Sequence, residues 1–162
     1  MFASVLSEFP YSKELVFEYL ILNKDITSWT PPEKGIHKVK NNFEGETLVG
    51  IELLCEMGSQ KATLFMEITH YEPCKEVRHY SKDAFYENGE RVGRGYFFPF
   101  HHMAFRTVFR ESSTGCQVLQ EVYVKPRGPL GWVICKFLIL PQAKTELKNS
   151  VMSLNKYLES IM

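Results

Sequence analysis

The sequence lacks an excess of either charge: 19 Lys and Arg balance 19 Asp and Glu, a formal net charge of +0 over 162 residues. A protein that neutralises phosphates usually carries a surplus of cations, so nucleic acid is not the expected partner. Also missing is any apolar run of the ~18 to 20 residues that a membrane span needs. The longest, residues 132–140, is interrupted by Lys136 and stopped by Pro141. Residues 1–4 (MFAS) have none of the basic and apolar regions of a signal peptide, so a cytoplasmic location is expected. Cysteines are few and scattered, at Cys55, Cys74, Cys116 and Cys135, with no C-x-x-C pair. In a reducing compartment they are expected to be reduced, small hydrophobic fillers.

Catalytic signatures are equally sparse. There is no G-x-S-x-G elbow and no Cys–His pair with local context, and Glu44, Glu46 and Glu67 are scattered carboxylates without a partner. His101 and His102 are neighbours, which on a strand point to opposite faces and so make no two-ligand clamp. No cysteine or carboxylate stands at metal-ligand spacing from His37, His70 or His79. Neither a metal nor a cofactor is expected.

Aromatic residues, by contrast, are abundant: 12 Phe, 8 Tyr and 2 Trp make up 14% of the chain. Such rings fill cores and also line pockets. The strongest periodic signal lies in residues 141–161. There Leu147, Val151, Leu154, Leu158 and Ile161, continued backwards by Leu140, recur every three or four residues on one stripe of a helix. A helix of that length spans roughly 30 Å, enough to cross a small domain. Almost everything before it reads as strand.

Phe2–Phe9 is a short strand stopped by Pro10, and Ser12 is a candidate cap for a helix of about three turns carrying Leu15, Phe17, Tyr19, Leu20 and Leu22. A second short helix over residues 23–29, with Asp25 as its candidate cap, ends at Pro31-Pro32. Strands are then expected at residues 35–40, 47–54, 61–71, 75–85, 91–98, 103–110 and 116–125, with Asn88-Gly89 a hairpin signal. On the strand at 61–71, Leu64, Met66, Ile68 and His70 share one face by alternation. The segment at 130–140 is expected to be helical. The order predicts an α+β fold over 1–162 as one domain: a curved antiparallel sheet of six to seven strands wrapped around a long C-terminal helix, with two short helices after the first strand.

That order resembles the helix-grip superfamily of START-related, pollen-allergen-like and polyketide cyclase/dehydrase-like proteins, in its bacterial single-domain form. The likeness is carried by FPYSKELVFEYL at 9–20, ITSWTP at 26–31, FRTVFRESSTGCQVLQEV at 105–122 and SLNKYLE at 153–159. It covers essentially the whole chain through soft apolar patterns. The glycine loop of the pollen-allergen group is absent; Gly89, Gly93 and Gly95 in NGERVGRG match it only faintly.

The resemblance implies an apolar cavity between sheet and long helix, and a ligand such as a lipid, quinone or aromatic polyketide that is bound and in some members transported. Candidate lining residues are Trp29, Leu64, Met66, Ile68, His70, His79, Phe97, Met103, Phe105, Phe109, Val151 and Leu154. Trp29, between the short helices and Pro31-Pro32, is expected near the cavity mouth. His70 and His79, on successive strands, are expected to face the same cavity. An enzyme of the cyclase/dehydrase kind is the alternative, with His70, His79, Tyr80 or Tyr96 as acid–base groups. A protein-interaction domain with a filled core is the second alternative. The aromatic segment at 94–103 is a candidate for cavity lining or for transient membrane contact through Phe98 and Phe100. Sequence alone does not give the oligomeric state.

Overall fold

In the computed structural model the described backbone covers residues 1–57, 60–87, 90–92 and 100–162, and side chains are described outside 33, 57–62 and 82–101. The order begins with β1 (Phe2–Phe9), α1 (Lys13–Leu20) and α2 (Ile26–Trp29). Strands β2 (Ile36–Glu44), β3 (Thr47–Met57), β4 (Gln60–Glu72), β5 (Glu76–Glu87) and β6 (Glu90–Val92) follow. Then come β7 (Phe100–Ser112), β8 (Gly115–Pro126), α3 (Gly128–Ile134), a π-helical segment (Cys135–Ile139) and α4 (Leu140–Ile161). The antiparallel sheet is curved and runs β1-β8-β7-β5-β4-β3-β2, with β6 paired on β5 off that path. This is the α+β architecture the periodicities predict.

Local chemistry places the short elements. The Leu15 N–H donates to Ser12 Oγ at 3.3 Å, which starts α1 by satisfying one orphan donor. α1 is eight residues long, shorter than the three turns expected. Asp25 precedes α2 but makes no side-chain cap; its backbone is left-handed at φ 50°. After Pro31 and a 3-10 turn, Gly35 takes φ 63° and lies so close to the Glu56 carbonyl that a Cβ would sit 2.1 Å from its oxygen. Only glycine fits there, and its carbonyl accepts the Glu56 N–H at 2.7 Å, pinning the turn to β3.

The C-terminal helix is longer than residues 141–161 suggest. Pro141 does not begin it but lies inside a helical run from Gly128 to Ile161, just after the π-helical segment. Proline brings no N–H for the carbonyl four residues back and its ring crowds that carbonyl, so a locally wider turn is the expected accommodation. Leu140, Val151, Leu154 and Leu158 are buried as the stripe predicts, but Ile161 is exposed because the last turn runs beyond the sheet. α4 rests on β1, β8 and α2, and α1 rests on β7 and β8.

Two clusters form the core. The larger joins Phe9, Val16, Phe17, Trp29, Val77, Phe109, Val151, Leu154 and Leu158 with neighbouring residues. The smaller gathers Val122, Val124, Cys135 and Leu140, with Met103, Phe105 and Leu147 packed on it. Phe17 meets Phe109 edge-on at 5.4 Å, fastening α1 to the sheet.

Candidate functional site

Sheet register decides which side chains face the helices. Cross-strand pairs run Val77–Thr107–Gln120 in one row and His79–Phe105–Val122 in the next, two residues along each strand. Alternation puts both rows on the inner face, since Val77 and Val122 are fully buried in the core. Beyond them, Ile68 pairs with His79, and Met66 pairs with Ile51.

Over this wall, at the seam between the two core clusters, lies a cavity of about 220 Å³. Its lining includes Ile51, Met66, Val77, His79, Phe105, Thr107 and Gln120 from the sheet, Leu20, Ile21 and Asn23 from α1 and the turn after it, and Leu147 from α4. A second cavity, about 370 Å³, shares Phe105 and Leu147 with the first and extends along Met103, Ile139, Gln142, Ala143, Glu146 and Ser150. The two therefore adjoin, with one ring and one leucine between them. α4 leans on the β1–β8 side of the sheet: among the described residues its main sheet contacts are with β1 and β8.

His79 is a titratable side chain on the inner face of this wall. Its imidazole stacks on Phe105, with centroids 4.8 Å apart and planes 13° from parallel. Desolvation by the surrounding atoms pushes its pKa down to about 4, so the ring is neutral at pH 7, with one N–H and one lone pair to offer. Beside it, Thr107 and Gln120 are buried polar side chains, and Gln120 Oε1 has no hydrogen-bond partner among the described residues.

The outer face is different chemistry. Arg106 donates from Nε and one terminal nitrogen to the two carboxylate oxygens of Glu76, at 2.8 and 3.1 Å, and from the other terminal nitrogen to Glu121 at 3.0 Å. The Arg106 hydrogen bond is the main reason the Glu76 carboxyl falls to about 2. Arg106 and Glu121 also border the first cavity, but their charged ends are engaged with each other and with Glu76.

The candidates from sequence separate accordingly. Met66, His79 and Phe105 line the first cavity and Met103 and Phe105 the second. Phe109, Val151 and Leu154 are core residues that complete the packing beneath it, and Ile68 packs on the same cluster. Leu64 is half-buried opposite Leu53. His70 is a correction. β4 carries an extra residue between Ile68 and His70, where Ile68 pairs with His79 but His70 pairs with Arg78. The bulge inserts exposed Thr69, whose hydroxyl donates to the Arg78 carbonyl at 3.3 Å, and turns His70 to the outer face, 3.1 Å from Glu72. His70 and His79 thus do not share a cavity.

Tyr80 also faces outward, its hydroxyl donating to Glu67 at 3.2 Å. Trp29 is buried in the core, its indole N–H donating to the Lys24 carbonyl at 3.1 Å; it lines a separate surface groove with Pro31 and Tyr157 rather than the cavity. Tyr96 and Phe97, with Phe98, lie outside the described residues. Sequence reasoning passed over Gln120, Val77, Ile51 and Leu147 as lining residues. Leu147 stands on the helical stripe, and Thr107 shares an alternating face with Met103, Phe105 and Phe109, so both carried a usable signal.

Burial raises the Cys116 thiol to about 11 and moves those of Cys55, Cys74 and Cys135 upward, which suits packing and not nucleophilic work. Among the described residues there is no cluster of three or more potential metal ligands, and no helix is long and apolar enough to cross a membrane.

Comparison with known proteins finds no matching family model and no matching curated protein. Solved structures do match. A START superfamily protein from Mycobacterium smegmatis is 11% identical at a TM-score of 0.66, each chain covered over 99%. Ara h 8.0201 is 12% identical at 0.68, covering 99% of both chains. A putative protein of the dynemicin biosynthetic locus is 15% identical at 0.60, covering 98% of this chain and 47% of its own. Identities this low establish the fold, which is helix-grip.

Proposed function

We propose that this helix-grip chain binds a hydrophobic small molecule, and carries it where transfer is needed, in the paired cavities between β5, β7 and α4. The observation that carries the reading is the wall itself: Leu20, Ile21, Ile51, Met66, Val77, Phe105 and Leu147 supply its apolar surface, with Asn23, His79, Arg106, Thr107, Gln120 and Glu121 as its polar border. Binding would be driven by removal of apolar ligand surface from water, at roughly 25 cal/mol per Å², with those polar groups fixing orientation. The START superfamily and dynemicin-locus neighbours support a lipid-like or polyketide-like ligand by analogy of fold.

Native mass spectrometry of the purified protein, followed by solvent extraction, tests this directly. A co-purifying lipid, quinone or aromatic is the expected result. Where the chain purifies empty, it should bind the neutral dye N-phenyl-1-naphthylamine with enhanced emission, and Phe105→Ala should alter that affinity. A chain that neither carries nor takes up any apolar molecule overturns the reading.

A further inference from the structure

The first inference rests on the cavity reading and names the ligand's chemistry. Gln120 is 8% exposed, lies on the cavity wall and keeps a carbonyl oxygen, Oε1, with no partner among the described residues. A buried acceptor left unpaired is costly, and native chains tolerate it where a ligand or water completes it. Thr107 stands directly opposite Gln120 on β7, and His79 is diagonal to Thr107 on β5, one strand further from Gln120. Three uncharged polar side chains thus share the inner face of the wall with Ile51, Met66, Val77 and Phe105. Arg106, the nearest cation by register, is spent on Glu76 and Glu121 across the sheet. We propose that the cavity selects a neutral apolar molecule bearing a hydroxyl or N–H, which donates to Gln120 Oε1 with Thr107 and His79 alongside. An anionic head group would have to compete with Glu76 and Glu121 for Arg106, which also borders the cavity, and a pure hydrocarbon leaves Gln120 unsatisfied.

Three probes of one skeleton separate these cases: 2-naphthol, 2-methylnaphthalene and 2-naphthoate, each competing with N-phenyl-1-naphthylamine. Naphthol is expected to displace the dye at about three- to tenfold lower concentration than methylnaphthalene, the worth of one neutral hydrogen bond, and naphthoate to compete worst. Gln120→Leu should bring naphthol and methylnaphthalene to parity without weakening methylnaphthalene. Equal displacement by naphthol and methylnaphthalene in the wild type, or naphthoate as the best competitor, overturns the donor proposal and leaves the cavity reading standing. Failure of the dye and all three probes removes both.

A different observation carries a second inference. The segment from α3 through the π-helical turn buries its small side chains, Gly131 and Cys135, and turns its large ones outward. Leu130, Phe137 and Leu138 are 63, 63 and 62% exposed, and Trp132 and Val133 are exposed beside them. Lys136 lies over the Trp132 ring at 4.7 Å and near Phe137 at 5.5 Å. Between Glu121 and Glu146 the chain holds Lys125, Arg127, Lys136 and Lys144 and no carboxylate. An apolar helical face with an interfacial tryptophan and a cationic border has the composition of a segment lying in a bilayer surface. Pairing with a second copy through a two-fold axis would bring two such cationic borders together without a counter-charge.

We infer that this face docks on membranes containing anionic lipid. It leads directly into Ile139, Gln142 and Ala143, which line the second cavity, so docking would place that cavity beside the lipid. Sedimentation with vesicles of phosphatidylcholine alone, and of three parts phosphatidylcholine to one part phosphatidylglycerol, provides the test. The expected result is binding to the second only, weakened by salt, with a blue shift of emission that Trp132→Phe abolishes. The double variant Phe137→Glu, Leu138→Glu should lose at least tenfold in binding at unchanged urea midpoint, because both side chains are exposed. Absence of wild-type binding to the anionic vesicles overturns the inference. So does undiminished binding by the double variant, or a wild-type dimer that the double variant makes monomeric.

Discussion

His79 makes stability depend on acidity in a way that can be isolated. Its folded-state pKa is about 4, against 6.5 for the free side chain, because the stacked imidazole is desolvated. The folded protein therefore binds fewer protons than the unfolded chain between these values, and stability rises with pH across that window. Read downwards, stability begins to fall near pH 6.5 and goes on falling until about pH 4, where the folded state also takes the proton. At about 1.4 kcal/mol per pH unit the full effect is about 3 kcal/mol, of which about 2 kcal/mol should be lost between pH 7 and pH 4.5. His79→Phe keeps a flat ring on Phe105 and removes the titration. Urea unfolding at intervals from pH 7 to pH 4.5 should show the wild type losing about 2 kcal/mol more than the variant. Parallel curves for the two proteins would refute the desolvation argument, and so would a wild type that gains stability as the pH falls.

Leu154, fully buried under the sheet, should cost about 2–5 kcal/mol when cut to alanine; a urea midpoint unchanged within error would undo the account of α4. Trp29→Ala should cost about 3–5 kcal/mol, because it empties a core position and loses the indole hydrogen bond. Dye binding measured well below its unfolding midpoint should be unchanged, and a selective loss of binding would place Trp29 at the cavity after all. Glu76→Gln should cost about 1–2 kcal/mol at pH 7 by weakening the charge-assisted bonds to Arg106. The Glu76 pKa falls from 4.5 to about 2, so this stabilisation is present above pH 4.5 and is lost as pH falls towards 2. The variant should thus have a shallower acid limb, read by extending the urea titration below pH 4.5 towards pH 2, and an unchanged limb would contradict it.

Element order and the buried helical stripe were legible because periodicity of 3.6 and of 2 survives any detail of packing. The cavity wall was less legible, for reasons that lie in particular residues. Thr69 looks like an ordinary strand position, yet the bulge it creates reverses every face assignment after Ile68, and His70 moves outward with it. Gln120 sits between Leu119 and Glu121, where its polarity gives no hint of an inward position; only its pairing with Thr107 reveals it. Residues 130–140 read as helical, but the sequence did not say which of their side chains would be covered. Burial went to Gly131 and Cys135, whose small side chains let the helix approach Val122 and Val124 closely, and the larger residues were left in solvent. Hydrophobicity reports a tendency to be covered, but close approach between a helix and a sheet favours the smaller side.

The same wall bears on binding against catalysis. Acid–base turnover in the cavity would need two titratable groups whose environments set one as acid and the other as base. His79 supplies a neutral ring able to accept a proton, but one whose conjugate acid is destabilised by desolvation and is therefore a poor proton store. Among the described residues Thr107 and Gln120 are the polar neighbours by register, and neither titrates near neutral pH. His70 and Tyr80, which sequence offered as partners, are turned to the opposite face. Three groups that can exchange hydrogen bonds without changing charge suit holding a neutral ligand in one orientation. That arrangement lowers the free energy of the bound ground state, whereas rate requires a group that strengthens its contact in the transition state.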